Sequence, residues 1–191
     1  FLYLEGNTAK FMSNYQAAHM IWDGLLPKLE DLESTASWSL EYQGLVCAEK
    51  AFLMFEAGDV QEALGWLERT NPSPLHPYSR AVWLSVRGRI QFHEVDFVGA
   101  LDSLGEALKG AHLMQNHDLI SRLHLRLAFV YAVLGKREMS LVALQEGLEN
   151  MEACSDLIQA HSGTLVGWVY LEQGESRQAQ KHFARSAALA K

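Results

Sequence analysis

The sequence predicts an all-α fold, a superhelix (solenoid) of about five antiparallel helix-turn-helix units. Three observations predict it. A pattern of small and large residues recurs five times, glycines fall where helices must reverse, and apolar residues follow the turns at helical intervals. The successive copies lie 45, 37, 40 and 39 residues apart. A regular period of this length is typical of helical repeat proteins.

Each copy begins with a small residue in a first helix and has a turn seven residues later. The small residues are Gly6, Ala51, Gly88, Ala128 and Gly167. The turn positions are Ser13, Gly58, Val95, Gly135 and Gly174. Glycine adopts a positive φ at little cost, so the three glycines are well suited to end a helix and reverse the chain.

A second helix follows each turn and carries a small residue, then a large apolar residue four positions later. The small residues are Ala18, Ala63, Ala100, Ser140 and Ala179. The large residues are Trp22, Leu67, Leu104, Leu144 and Phe183. Where two helices cross closely, small residues must face one another and large residues fill the flanking gaps. The spacing therefore predicts a close crossing within each helix pair.

This spacing resembles that of tetratricopeptide (TPR) repeats, whose helix pairs carry small residue, turn, small residue and large residue in the same order. The best match is VGWVYLEQGESRQAQKHFARSA, where the agreeing positions are Gly167, Tyr170, Gly174, Ala179 and Phe183. The segment LAFVYAVLGKREMSLVAL keeps Leu127, Ala128, Tyr131 and Gly135. The segment RGRIQFHEVDFVGALDSLGEAL keeps Gly88, Ala100, Leu104 and Ala107, but has Gln91 where an aromatic residue is usual.

The resemblance covers nearly the whole chain and implies a right-handed superhelix of divergent, long-period TPR-like repeats. In a single domain, 1–191, the expected repeats span approximately 1–33, 41–73, 78–113, 117–153 and 157–191. The period exceeds the usual value of about 34 residues, and armadillo or HEAT repeats are the alternative. Prolines concentrate at 70–80, the expected inter-repeat loop. The first copy lacks part of its first helix, so we expect a piece of a longer chain.

The composition excludes several classes of protein. The formal net charge is -7 and no run of lysine or arginine occurs, which argues against a nucleic-acid-binding surface. The longest apolar stretch, LRLAFVYAVLG, is interrupted by Arg126 and is too short to span a membrane. Cys47 and Cys154 are expected to be reduced, mostly buried thiols. We therefore expect an intracellular (cytoplasmic or nuclear) protein that contacts neither nucleic acid nor membrane.

The sequence contains no signature of a catalytic or metal site. The segment HLMQNHDLISRLH holds three histidines, but zinc sites on helices need ligands three or four residues apart and a third ligand. A simpler interpretation is that Asn116 or Asp118 begins a helix there. The motifs G-x-S-x-G and C-x-x-C and a phosphate-binding glycine loop are also missing. We expect no enzymatic activity, no cofactor, no metal and no catalytic residue.

In a solenoid of helix pairs the first helices line the concave side, which we call the inner face. Projecting their inward positions predicts eight partner-binding residues: Phe52, Phe55, Arg89, Phe92, His93, Arg122, Phe129 and Trp168. The same projection also places Glu56, Leu125, His161 and Leu171 there. The inner face is thus expected to form an aromatic groove with a few basic residues.

These aromatic residues have two interpretations. They could pack against neighbouring repeats, because apolar stripes on helices usually belong to a core. Alternatively, they could hold a partner helix or extended peptide, with Arg89 and Arg122 pairing its acidic side chains. Five such stripes facing one groove favour binding.

Two functions follow from a groove of this kind. The first is a scaffold or adaptor segment that binds a partner peptide or helix within a larger multi-subunit assembly. The second is the ligand- or peptide-sensing domain of a transcription regulator, in which the occupant shifts the stacking of the repeats. The exposed ends of the solenoid, with Phe183 and Leu189 near one of them, could also allow self-association.

Overall fold

The computed structural model describes residues 14–30 and 37–189, and every regular element within these ranges is an α-helix. The helices are α1 (Tyr15–Glu30), α2 (Ser37–Glu56), α3 (Val60–Glu68), α4 (Pro77–His93), α5 (Phe97–Leu113), α6 (His117–Val133), α7 (Arg137–Met151), α8 (Asp156–Glu172) and α9 (Ser176–Leu189). The predicted all-α class is confirmed for this part of the chain. None of its helices is long and apolar enough to cross a bilayer.

Consecutive helices pack as four hairpins, α2–α3, α4–α5, α6–α7 and α8–α9. Helix α1 packs against α2. Between hairpins, α2 lies against α4, whereas α6 contacts both α5 and α8. Among the first helices of the hairpins, α2 therefore packs beside α4 and α6 packs beside α8.

Five turns share one hydrogen-bonding pattern, the Schellman motif. In the turn after α6, the N–H of Lys136 donates to the carbonyl of Tyr131 at 2.8 Å, and the N–H of Gly135 donates to that of Ala132 at 2.9 Å. The residues with positive φ are Gly58, Val95, Gln115, Gly135 and Gly174. The turn prediction is thus confirmed at four positions, while Ser13 lies outside the described residues. The turn at Gln115, between α5 and α6, was not predicted.

Asx side chains cap the amino ends of four described helices. Asn14, Asp59, Asp96 and Asn116 each accept a hydrogen bond from the N–H three residues later, at 3.1, 3.0, 2.9 and 2.9 Å. These bonds satisfy backbone donors that have no partner within the helix. Asn116 confirms the interpretation of the histidine-rich segment as a helix start.

The helices of each hairpin cross closely at small residues. A Cβ atom added to Gly167 would lie 2.4 Å from the ring of Phe183, and one added to Gly88 would lie 2.8 Å from Leu104. The other small residues of the repeating pattern in the four hairpins are fully or almost fully buried: Ala51, Ala63, Ala100, Ala128, Ser140 and Ala179. The predicted close crossings are confirmed there, whereas Gly6 lies outside the described residues.

The linker between α3 and α4 is shorter than expected. Its last residue is His76, and Pro77 begins α4 at a position where a helix needs no N–H donor. Residues 77–80 are therefore helical and do not belong to the loop. Leu75 anchors the linker because its side chain is buried against Gly44.

Lys50 carries a charge in the core around α1, α2 and α3. It forms an ion pair with Asp23, and its Nζ lies 3.8 Å from the centre of the Trp66 ring. Burial acts to raise the pKa of Asp23, but the hydrogen bonds and charges of Lys50 and His19 lower it below its ordinary value. This buried cation is thus matched by both an anion and an aromatic face. Cys47 and Cys154 are free and buried, as expected.

Val95 provides a test of the turn geometry. It is 67% exposed and has a φ of 66°, which β-branched residues rarely adopt. We expect Val95→Gly to raise the free energy of unfolding by about 0.5–1 kcal/mol. The relief of left-handed strain, about 1–2 kcal/mol, exceeds the entropic cost of glycine, about 0.5–1 kcal/mol. Urea denaturation measures the change.

The matched control for this turn is Val98→Gly. Val98 is also exposed but lies in the first turn of α5. Glycine is the poorer helix former there, so this variant should be less stable than the wild type. A loss of stability in Val95→Gly similar to that in Val98→Gly would contradict the left-handed turn.

The crossing of α8 and α9 can be tested by overpacking. Gly167→Leu should lower the free energy of unfolding by about 1–3 kcal/mol or more, because the new side chain must displace Phe183. Gly65→Leu is the control, since a Cβ atom at this exposed position in α3 meets no atom within 4 Å. Thermal melts compare the two, and an unchanged midpoint for Gly167→Leu would show that these helices do not cross there.

Candidate functional site

The predicted partner-binding residues come from all four first helices of the hairpins. Helix α2 supplies Phe52 and Phe55, α4 supplies Arg89, Phe92 and His93, α6 supplies Arg122 and Phe129, and α8 supplies Trp168. Contacts between neighbouring helices decide which of these side chains form one surface.

Arg89 joins α4 to α2. Its guanidinium carbon lies 4.5 Å from the ring centre of Phe52 and 5.2 Å from that of Phe55. The same side chain forms an ion pair with Glu56, at the end of α2. Next to it, the rings of Phe55 and His93 meet edge to face, with centroids 5.6 Å apart. Cation–π contacts and an ion pair together hold Arg89 on this surface.

Phe92 joins α4 to α6. Its ring centroid lies 5.3 Å from that of Phe129 and 5.6 Å from that of Phe97 in α5. Phe52, Phe55, Phe92 and Phe129 are all partly buried, and each packs against the main hydrophobic core. Each ring therefore contacts the core and also keeps some area at the surface. The binding of a partner by that area stays a prediction.

Two projected residues lie apart from this row of rings. Trp168 is 46% exposed, and its ring meets Phe183 of α9 at 5.5 Å between centroids. The ring contacts that link Phe92 to Phe129 do not extend to it. Leu125 is fully buried, which corrects its projected place on the inner face. Helical spacing alone does not reveal that this leucine packs over Gly147 of α7.

Arg126, which the projection omitted, belongs to the same surface. Its Nε is buried and has no hydrogen-bond partner. Burial, followed by the positive charges of Arg89 and Arg122, lowers the pKa of Arg126 well below its ordinary value, although Glu56 opposes the shift. A guanidinium stays protonated in proteins, so this direction describes a cation in an unfavourable environment.

His161 brings α8 to the same group of charges. Partial burial and the positive charges of Arg126, Arg122 and Arg89 lower the pKa of its imidazole. The side chain still keeps part of its surface open to solvent. Burial and the surrounding cations thus both favour the neutral imidazole of His161.

The surroundings of Arg126 have an excess of positive charge. The charges that act on Arg126 are those of Arg89, Arg122 and one carboxylate, that of Glu56, which already pairs with Arg89. The Nε of Arg122 donates to the backbone carbonyl of Asp118 at 3.2 Å. Within residues 14–30 and 37–189, neither Arg122 nor Arg126 forms an ion pair with a carboxylate. This local excess contrasts with the net charge of -7 of the chain.

A pocket of about 390 Å³ adjoins this surface between α1 and the end of α2. Apolar side chains form most of its wall, and Glu56 borders it. Glu56 therefore lies between the pocket and Arg89.

The histidine-rich segment has a structural role where it is described. His117 hydrogen-bonds Asn150 at 3.0 Å, and the rings of His112 and His124 meet with centroids 6.0 Å apart. In the described part of the chain, no three His, Cys, Asp or Glu side chains are placed to hold a metal ion.

Comparison with known proteins adds evidence on the fold. No protein family matches the sequence, and no curated protein matches it. Among solved structures, the chain is similar to the crystal structure of BtubC (BKLC) from P. vanneervenii, with a TM-score of 0.67 and 14% sequence identity. The match covers 98% of this chain and 78% of BtubC. At this identity the likeness concerns the fold alone.

The environment of His161 predicts how stability depends on pH. Unfolded histidine titrates near 6.5, and His161 has a lower pKa in the folded protein, so acid protonates the unfolded state first. The free energy of unfolding should therefore fall as the pH drops below about 6.5. His161→Gln should reduce this fall, and so should Arg126→Met by removing a repelling charge. Urea denaturation at about pH 7.5 and about pH 5.5 measures the fall in the free energy of unfolding. If His161→Gln shows the same pH dependence as the wild type, the lowered pKa of His161 is contradicted.

Proposed function

We propose that the chain is a TPR-like, right-handed superhelix in which each hairpin is one repeat and the inner face forms a groove. The recurring spacing of small residues supports this architecture. Further support comes from the same Schellman turn between the helices of every hairpin and from the packing of each first helix beside another.

The function that we propose is binding of a partner peptide or helix in this groove, without catalysis. The chain would act as a scaffold or adaptor segment of an intracellular multi-subunit assembly. The observation that carries the proposal is the row of partly buried rings, Phe52, Phe55, Phe92 and Phe129, that runs beside Arg89 across three hairpins.

Such a row suits the recognition of a peptide. Rings already packed against the core lose little further freedom when a partner covers them, so their apolar area contributes to affinity at a low entropic cost. Aromatic and arginine side chains also dominate the energetic centres of protein interfaces. Arg89 and Phe129, near the middle of the row, are the proposed centre.

A second candidate function is a sensing domain of a transcription regulator, as the sequence also allows. The observation in its favour is the buried Nε of Arg126, since a cationic group without a partner among the described residues also suits a small anionic signal. Binding in the groove would then change the packing of one hairpin on the next.

Affinity selection from a random peptide library tests the proposed function. Peptides that bind the wild type should bind Arg89→Glu and Phe129→Ala about 30-fold more weakly, which corresponds to a loss of about 2 kcal/mol. Fluorescence anisotropy of labelled peptides measures the dissociation constants. Gln178→Ala, on the exposed surface of α9, is the control and should leave them unchanged.

Folding must be measured with affinity, because loss of a core ring costs about 3–5 kcal/mol of stability. Circular dichroism and thermal melts separate the two effects. If Arg89→Glu is folded and binds the selected peptides as tightly as the wild type, the contact surface lies on the second helices or the loops, and the proposal is wrong.

A further inference from the structure

Three arginines, Arg89, Arg122 and Arg126, form what we call the arginine cluster. Arg122 and Arg126 lie one turn apart on α6. Helices α4 and α6 meet where the rings of Phe92 and Phe129 contact each other. Arg89 lies three residues before Phe92 on α4, and Arg126 lies three residues before Phe129 on α6. The contact between those rings therefore brings Arg89 and Arg126 to matching positions on neighbouring helices.

The described residues supply too few acceptors for this cluster. Glu56 pairs with Arg89, and the carbonyl of Asp118 accepts from Arg122. The Nε of Arg126 is enclosed without an acceptor, while no bond to another described residue occupies its terminal nitrogens. A buried donor without a partner is unfavourable for the folded state. An external oxyanion at the terminal nitrogens would reduce the repulsion among the three cations.

Lys50 shows that the fold can match a buried cation where the charge is structural. Its ammonium has the carboxylate of Asp23 on one side and the ring of Trp66 on another. Arg126 has neither kind of partner among the described contacts. The described part of the chain thus provides an ion-pair partner for Lys50 and none for Arg126.

We propose that the arginine cluster binds a carboxylate of an acidic segment in a partner protein, with apolar residues of that segment lying on Phe92 and Phe129. This inference rests on the proposed function and names the chemistry of the occupant. Planar guanidinium groups match the two oxygens of a carboxylate. The adjoining rings favour a peptide over a small anion, because only a peptide presents a carboxylate and apolar side chains together.

The experiment compares peptides selected on the wild type with peptides selected on Arg126→Met. Wild-type protein should enrich sequences that combine Asp or Glu with apolar residues, whereas the variant should lose the acidic preference. Replacing Asp and Glu in an enriched peptide by Asn and Gln should weaken its binding to the wild type about tenfold. Arg177→Met, an exposed arginine on α9, is the matched control and should behave as the wild type.

A second measurement separates a binding role from a structural one. Without peptide, Arg126→Met should melt no lower than the wild type, because an apolar side chain of similar length removes the repulsion and the unpaired donor. A large drop in the melting midpoint would show that Arg126 is structural and overturn the inference.

The outcomes distinguish this inference from the proposed function. Enriched peptides without acidic residues that still lose affinity in Phe129→Ala would overturn the carboxylate site and leave the groove function standing. If no peptide is enriched, yet succinate or inorganic phosphate raises the melting midpoint of the wild type and not of Arg126→Met, the site binds small anions. That result would overturn both the peptide occupant and the proposed function. Equal enrichment of acidic peptides by both proteins would overturn the role of Arg126.

Discussion

The close crossing of the two helices in each hairpin is the contact on which the rest of the structure depends. At Gly88 and Gly167 a side chain from the second helix occupies the space that a Cβ atom would need. Buried hydroxyl groups add specific bonds at such crossings, as where Ser140 donates to the carbonyl of Ala128 at 2.8 Å. Because the helices cannot slide or rotate past these contacts, each first helix presents a fixed side to the next hairpin. The rings and arginines of neighbouring helices can meet only because the orientation of each first helix is fixed in this way.

Lys50 is a fully buried cation and Arg126 a partly buried one, and the charges around them differ. Removing a charge from water costs free energy that a nearby anion can offset. Around Lys50 the chain provides that anion, Asp23, so the ion pair is complete within the fold. Around Arg126 the nearest charges are mostly of its own sign. A protein retains such an arrangement at some cost to its stability, which is a common property of binding sites.

The local structure was largely predictable from the sequence because each turn is encoded by one or two residues. Glycine at 58, 135 and 174 marks the left-handed positions, and Asn116 marks a helix start. Gln115 was missed because glutamine does not distinguish a turn from a helix. The surface was less predictable, since it depends on contacts between hairpins. Leu125 follows the spacing of an inward residue but packs on Gly147, and Arg126 was interpreted only as an interruption of an apolar stretch.

The three arginines are distributed over separate hairpins, with Arg89 on α4 and both Arg122 and Arg126 on α6. Their separation therefore depends on the angle at which one hairpin packs on the next. A ligand held by both hairpins binds the protein more tightly at one packing angle than at the others. It therefore shifts the population of protein molecules toward that angle. The reciprocal effect follows from thermodynamic linkage: a molecule that changes the same angle by binding elsewhere must alter the affinity of the three arginines for such a ligand by an equal factor. The packing between α4–α5 and α6–α7 thus provides a physical route for cooperativity between distant surfaces of the chain.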